Sequence, residues 1–128
     1  MTRLFVYGTL MPGRLRWPHL QPFVTAHRSA AVPGTLFDSG NGWPVAVLDG
    51  SPAAGPTVPG VLVDLDAGQL DTCLELIDEV EDTATDELRR VRVTTTGGEA
   101  AWAYHFTRSV AGLTRIADWS MVDPALEA

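Results

Sequence analysis

Residues 4–13 of this chain read LFVYGTLMPG. An apolar run leads directly into a glycine and a hydroxyl residue, and Pro12-Gly13 then breaks the chain. The pattern predicts a short strand that ends in a turn. Because glycine lets a ligand approach the backbone closely, such a turn can present several N–H groups to an anion or a developing oxyanion. A first strand followed by an ordinary tight turn explains the same residues.

The composition limits the classes of protein to which this chain can belong. Its 128 residues are typical of one domain, and 45% of them are hydrophobic, which is enough for a core. The net charge of −7 argues against non-specific binding to nucleic acid and against docking on anionic membranes. All nine basic residues are arginines, which excludes a Schiff-base lysine and suggests a GC-rich bacterial genome.

Metal and cofactor sites are not predicted. The single cysteine, Cys73, excludes an intramolecular disulfide and a cysteine metal cluster. The three histidines, His19, His27 and His105, do not have the spacing of metal ligands. No apolar run reaches about 18 residues and no secretory signal is visible, so we expect a cytoplasmic protein that does not span a membrane.

Short strand-like segments accompany one strong helical pattern. Strands are predicted at 2–7, 22–37, 43–48, 60–65, 89–96 and 99–107, with a two-residue turn at Gly97-Gly98. Loops are predicted at 39–42 and 49–59, the main helix at 67–81, and short helices at 14–20, interrupted by Pro18, and 113–119. This order favours an α+β fold whose mostly antiparallel sheet is strongly curved or closed into a barrel. We expect a single domain over residues 1–128, with a weakly patterned tail at 108–128.

The predicted main helix contains a carboxylate in an unusual position. At 100° per residue its apolar stripe consists of Leu70, Cys73, Leu74 and Ile77, and its solvent side carries Asp71, Glu75, Asp78 and Glu79. Glu81 follows Ile77 by four residues and therefore projects toward the apolar stripe. Burial would raise the pKa of this carboxyl group and make it a better general base or acid near neutral pH.

Two other interpretations of Glu81 remain open at this point. The helix can end at Ile77 or Val80, which would leave Glu81 in a solvated loop. Alternatively, Glu81 can form a structural ion pair with Arg89 or Arg90.

Taken in order from about Thr2 to Phe106, these motifs resemble the gamma-glutamylcyclotransferase-like superfamily, also called the AIG2-like family. The segments that carry the resemblance are 5–10, 34–38, 42–44, 58–62, 77–81, 89–93 and 101–104. Three positions around Glu81 depart from the family pattern. Val80, Asp82 and Leu88 stand where an aromatic residue, glycine and tyrosine are common. These departures bear on substrate choice, and Asp82 would raise the pKa of Glu81 if their charges lie close.

The resemblance implies a small β-barrel flanked by one main helix and short helices. It also implies an enzyme that cyclises a γ-glutamyl amide to 5-oxoproline and releases an amine, without a metal or an organic cofactor. Glu81 would act as general base and acid, and the substrate site would consist of Tyr7, Gly8, Thr9, Leu10, Trp43 and Tyr104. Arg14, just past the loop, is a candidate ligand for a substrate carboxylate or a solvated surface residue.

Two alternatives belong to other functional classes. The same fold can serve as a non-catalytic module that binds a small, amino-acid-like ligand. It can also belong to a structural or interaction protein, in which the acidic surface and Trp119 would matter more than the cavity.

Overall fold

The computed structural model describes residues 2–48, 55–81 and 88–127. The eight strands of this part are β1 (Arg3–Val6), β2 (Val24–Pro33), β3 (Thr35–Asp38), β4 (Pro44–Val47), β5 (Thr57–Leu65), β6 (Leu88–Thr94), β7 (Ala100–Phe106) and β8 (Thr114–Ile116). The α-helices are α1 (Trp17–Leu20) and α2 (Leu70–Val80), and 3₁₀ turns lie at Gln21–Phe23, Ala67–Gln69, Trp119–Met121 and Pro124–Leu126. None of the helices in these ranges is long and apolar enough to cross a membrane.

Strand β1 is the centre of a five-stranded sheet with the order β2-β5-β1-β7-β6. It pairs antiparallel with β5, where Leu4 is opposite Val63, and parallel with β7, where Leu4 is opposite Trp102. A strand that is paired along both edges and packed on both faces is shielded from water, so consecutive residues in it are apolar. Leu4 and Phe5 are accordingly fully buried, as the opening sequence predicts.

The α+β class is confirmed, but the predicted barrel is not. Strands β2 and β6 are the two edges of the large sheet, and β4-β3-β8 form a separate three-stranded sheet. Within the described ranges, the edges approach through one backbone hydrogen bond, from the Thr96 N–H to the Ala31 carbonyl, and no ladder joins them. The sheet curves without closing, because closure requires a continuous row of such bonds.

Helix α2 follows the predicted main helix closely. The Asp66 carboxylate accepts a hydrogen bond from the Gly68 N–H and begins the 3₁₀ turn that leads into the helix. Cys73 and Ile77 are fully buried, so the interpretation of Cys73 as a core residue is confirmed. Helix α1 is shorter than predicted, and Pro18 lies in its first turn, where a missing N–H does no harm, rather than interrupting it.

Three local predictions are wrong. The segment predicted as a helix at 113–119 contains β8, which pairs with β3 through Leu36 and Ile116. The predicted loop at 49–59 includes the start of β5 at Thr57, and residues 49–54 lie outside the described residues. Residues 95–99 join β6 to β7 instead of a two-residue turn: the Thr95 N–H donates to the Glu99 carbonyl at 2.8 Å and closes a three-residue loop, in which Gly98 has a positive φ of 89°.

Arg14 and Leu15, which follow the first turn, are held by hydrogen bonds to the C-terminal residues 120–127. The Arg14 guanidinium donates hydrogen bonds to the carbonyls of Val122 and Ser120. The Glu127 carboxylate accepts one from the Leu15 N–H at 3.0 Å and another from the Trp119 indole at 2.7 Å. Arg14 is therefore neither a solvated surface residue nor placed to bind a substrate carboxylate.

Candidate active site

One pocket lies where β1 ends, and all the predicted site residues line it. Its volume is about 350 Å³ of empty space, counted with the open mouth. The lining residues are Phe5, Val6, Tyr7, Gly8, Thr9, Leu10, Trp43, Pro44, Glu81 and Tyr104. Sequence positions up to about 100 residues apart therefore meet at one place, because the β1–β7 pair brings the two ends of the chain together.

The turn after β1, residues 8–11 (the donor turn), directs backbone N–H groups at the pocket. It is closed by a 3.0 Å hydrogen bond from the Met11 N–H to the Gly8 carbonyl. Across residues 2–48, 55–81 and 88–127, no hydrogen bond from the N–H groups of Gly8, Thr9 or Leu10 is found. Donors that line a pocket without a protein partner suit an anionic ligand or an oxyanion.

Gly8 is required by the packing of this turn. A Cβ atom built on it would lie 2.6 Å from Pro44 Cγ and 2.8 Å from Pro44 Cδ. These distances are shorter than van der Waals contact, so any side chain would push the turn away from Trp43-Pro44. The aromatic-proline segment and the turn therefore lie against each other where both line the pocket.

Glu81 enters the pocket from the end of α2. The helix ends at Val80, as one of the open interpretations had it, but Glu81 does not fall in a solvated loop. Its N–H donates to the Ile77 carbonyl at 2.9 Å, which continues the helical path for one more residue. Burial raises the pKa of the Glu81 carboxyl group to about 7, against the opposing effect of the Arg16 charge.

The alternative of an ion pair between Glu81 and Arg89 or Arg90 is not found among the described residues. Arg90 lies 3.5 Å from Asp78 instead, and its guanidinium lies 5.0 Å from the centre of the Trp102 ring. The positive charge that acts on Glu81 is the guanidinium of Arg16, 5.9 Å from the centre of the Trp43 ring. Asp82, whose charge is expected to raise the pKa of Glu81 if the two lie close, is outside the described residues.

The raised pKa of Glu81 predicts a cost in stability above neutral pH. The folded protein keeps the proton up to about pH 7 whereas the unfolded chain loses it near 4.5, so the free energy of unfolding falls as pH rises through this range. Glu81→Gln removes the penalty and should stabilise the protein at pH 8 by up to about 3 kcal/mol, and by much less at pH 5.

Thermal unfolding at the two pH values measures this effect of Glu81→Gln. Glu79→Gln is the matched control, because Glu79 is exposed on the same helix and its replacement changes the net charge equally. Equal stabilisation by both variants, or none at pH 8, would contradict the burial of Glu81.

Two tyrosines, Tyr7 and Tyr104, line the pocket and are hydrogen-bonded to each other. The Tyr7 hydroxyl donates to the Tyr104 carbonyl at 2.6 Å, and the Tyr104 hydroxyl donates to Asp78 Oδ1 at 2.7 Å. Burial raises the pKa of both phenols far above the usual value, and nearby carboxylates raise it further. Both therefore remain neutral donors near pH 7. Asp78 is half-buried in this network rather than on the solvent side, because Tyr104 and Arg90 lie over its face of α2.

The remaining polar candidates have structural partners. His105 accepts a hydrogen bond at Nδ1 from the Leu48 N–H at 3.0 Å, so its interpretation as a hydrogen-bonded structural residue is confirmed. Burial and the neighbouring Arg89 charge lower the pKa of its imidazole. Within the part of the chain that the structure describes, no group of three or more His, Cys, Asp or Glu residues is placed to hold a metal ion.

Solved structures share this fold. An AIG2-like protein from Mus musculus has a TM-score of 0.72 at 17% identity, covering 99% of this chain and 94% of that one. A protein from Pyrococcus horikoshii has a TM-score of 0.69 at 22% identity, covering 94% of this chain and 91% of that one. At these identities the likeness concerns the fold alone.

Sequence comparison extends the likeness beyond the fold. The gamma-L-glutamyl-butirosin B gamma-glutamyl cyclotransferase of Niallia circulans is 29% identical over an alignment 127 residues long, and the match covers 93% of this chain and 76% of that protein. The family model described as gamma-glutamyl cyclotransferase, AIG2-like, matches residues 4–121. Because that match spans nearly the whole chain, this protein belongs to the AIG2-like gamma-glutamyl cyclotransferase family.

Proposed function

We propose that this protein is an enzyme that cyclises a γ-glutamyl amide to 5-oxoproline and releases an amine. One observation carries the proposal: the half-buried Glu81 carboxyl group, with a pKa of about 7, lines a small pocket together with a turn whose N–H groups have no hydrogen-bond partner among the described residues. A carboxyl group with this pKa is ionised in part of the molecules at neutral pH and can both accept and return a proton. Family membership and the butirosin-related relative support the same reaction.

The reaction joins two atoms of one substrate molecule. The α-amine nitrogen attacks the γ-carbonyl carbon, the C–N bond to the leaving amine breaks, and a five-membered lactam forms. Holding the substrate in this folded shape removes much of the entropic barrier. Of the three protons on the α-ammonium, one stays on the lactam nitrogen and two end on the released amine.

Each part of the pocket has a role in this scheme. Glu81 accepts protons from the α-ammonium and passes them to the leaving nitrogen. The N–H groups of Gly8, Thr9 and Leu10 stabilise the oxyanion that develops on the γ-carbonyl oxygen. Tyr7 and Tyr104 serve as walls, because their hydroxyl groups are already used as donors to the protein.

The test is release of 5-oxoproline from a panel of γ-glutamyl amides. The panel contains γ-glutamyl amino acids, γ-glutamyl-ε-lysine, glutathione and γ-glutamyl amides of amine-bearing secondary metabolites. Release from at least one of them by the folded protein would support the proposal. Binding of these amides without release would overturn it in favour of a ligand-binding module on the same fold.

The Gly8 turn gives a second test of the same function. Gly8→Ala places a methyl group against Pro44 and should shift the donor turn, lowering kcat/KM by on the order of 100-fold, the typical effect of a 1 Å misplacement. Gly68→Ala is the matched control, because its Cβ would meet only Asp66 Oδ1 at 3.5 Å. Steady-state kinetics of both variants measure this change in kcat/KM. An unchanged value in Gly8→Ala would argue against a role for this turn.

A further inference from the structure

Arg16 lies beside two residues that line the pocket, Thr9 and Trp43, and has no ion-pair partner among the described residues. Its backbone N–H donates to the Thr9 carbonyl at 2.8 Å, which ties it to the donor turn. Its guanidinium lies 5.9 Å from the centre of the Trp43 ring and acts electrostatically on Glu81. Among residues 2–48, 55–81 and 88–127, no carboxylate lies within ion-pair distance of it.

The other arginines near this region are already engaged. Arg14 is held by two carbonyls and lies 3.8 Å from Glu127, and Arg90 pairs with Asp78. A half-buried guanidinium beside an aromatic ring keeps a defined orientation, and its planar fork matches a carboxylate with two parallel hydrogen bonds. Arg16 therefore has the charge, the position and the geometry to bind an anionic group of a ligand.

We propose that Arg16 binds the α-carboxylate of the γ-glutamyl group and thereby restricts the substrates to γ-glutamyl amides whose α-carboxylate is free. The inference rests on the proposed cyclisation. In that reaction the α-amine must reach Glu81, and the α-carboxylate is bonded to the same carbon atom. Arg16 contacts Thr9 and Trp43, and these two residues line the same small pocket as Glu81, so both groups of one amino acid can be bound together.

A pair of substrates that differ at one group tests the role of Arg16. One is a γ-glutamyl amide released by the wild type, and the other is its α-carboxamide counterpart with the same amine. We expect the wild type to prefer the carboxylate by about 100-fold in kcat/KM, since a site built for a charged group rejects a ligand that lacks it. Arg16→Gln should remove most of this preference by slowing the carboxylate substrate alone, and Arg16→Lys should restore part of it.

Arg115→Gln is the matched control, because Arg115 is exposed on β8 away from the pocket. It should keep the wild-type preference. An equal loss for both substrates in Arg16→Gln, or an unchanged preference, would overturn the proposal and leave the cyclisation itself intact.

Equilibrium binding tests the role of Arg16 independently of the proposed cyclisation. Titration calorimetry of both amides is carried out on Glu81→Gln, which cannot use the base, and on the double variant with Arg16→Gln. Tighter binding of the carboxylate ligand that disappears in the double variant would support the role of Arg16 even if the wild type released no 5-oxoproline. Equal affinity for both ligands, or binding of neither, would overturn it.

Discussion

Replacing Glu81 with glutamine should lower kcat for 5-oxoproline release by about 100- to 10,000-fold, the usual contribution of a general base. Glutamine keeps the size and a hydrogen-bonding end but cannot accept the ammonium proton. The substrate contacts with the donor turn and with Arg16 remain, so substrate affinity should change little. Steady-state kinetics on the best amide of the panel, together with binding of that amide to the variant, measure both quantities.

The pH profile of the wild type supplies an independent check on Glu81. The base must be ionised, and its pKa is about 7, so kcat/KM should rise with pH up to about that value and then level off on this limb. Glu79→Gln should leave the profile unchanged, because Glu79 is exposed. Full activity in Glu81→Gln would show that another group takes the proton.

The second large effect is expected at Gly60 in β5. A Cβ atom built there would overlap the Val6 carbonyl oxygen and lie 2.8 Å from Phe5 Cζ. Both neighbours belong to the central strand β1, so neither can move without disturbing the sheet. Gly60→Ala should therefore destabilise the protein by about 3 kcal/mol or more, with a fall in Tm on the order of 10 °C.

Thermal or denaturant unfolding measures the effect of Gly60→Ala. Gly97→Ala is the matched control, because its Cβ would have 3.7 Å to its nearest neighbours in the hairpin loop. It should change the free energy of unfolding by less than about 1 kcal/mol. Similar stability of the two variants would mean that β1 and β5 can separate enough to admit a methyl group.

The parts of the fold that local patterns encode were predictable. The continuous apolar run of residues 4–7 identified β1, and the 3.6-residue period identified α2 and the direction of Glu81. The barrel was not predictable, because whether the edges β2 and β6 join depends on how far the sheet curves. Strand β8 was missed for a related reason, since its three residues become a strand only by pairing with β3.

In the candidate site, too, local patterns predicted some residues, whereas others are recognised only from contacts between distant elements. Its seven predicted residues all line one pocket, because the motifs that carry them lie at strand and helix ends. Arg16 and Asp78 were missed as members of the site. Asp78 lies on the polar side of α2 when the helix is considered alone, and only the approach of β7 gives it Tyr104 as a partner. Arg16 and Arg14 differ by two positions, and only the structure shows that Arg14 is bonded to the carbonyls of Ser120 and Val122 while Arg16 lies beside Trp43.

The hydrogen bond between Tyr7 and Tyr104 has a consequence for how the protein is made. Its partners are 97 positions apart, and the strands that carry them lie side by side in the sheet. During translation β1 is synthesised long before β7. The central strand therefore lacks its neighbour β7 for most of synthesis. Folding dominated by such distant pairings is slow. The pocket at the end of β1 should therefore form late, and no nascent fragment that ends before β7 should bind the γ-glutamyl amides proposed as substrates.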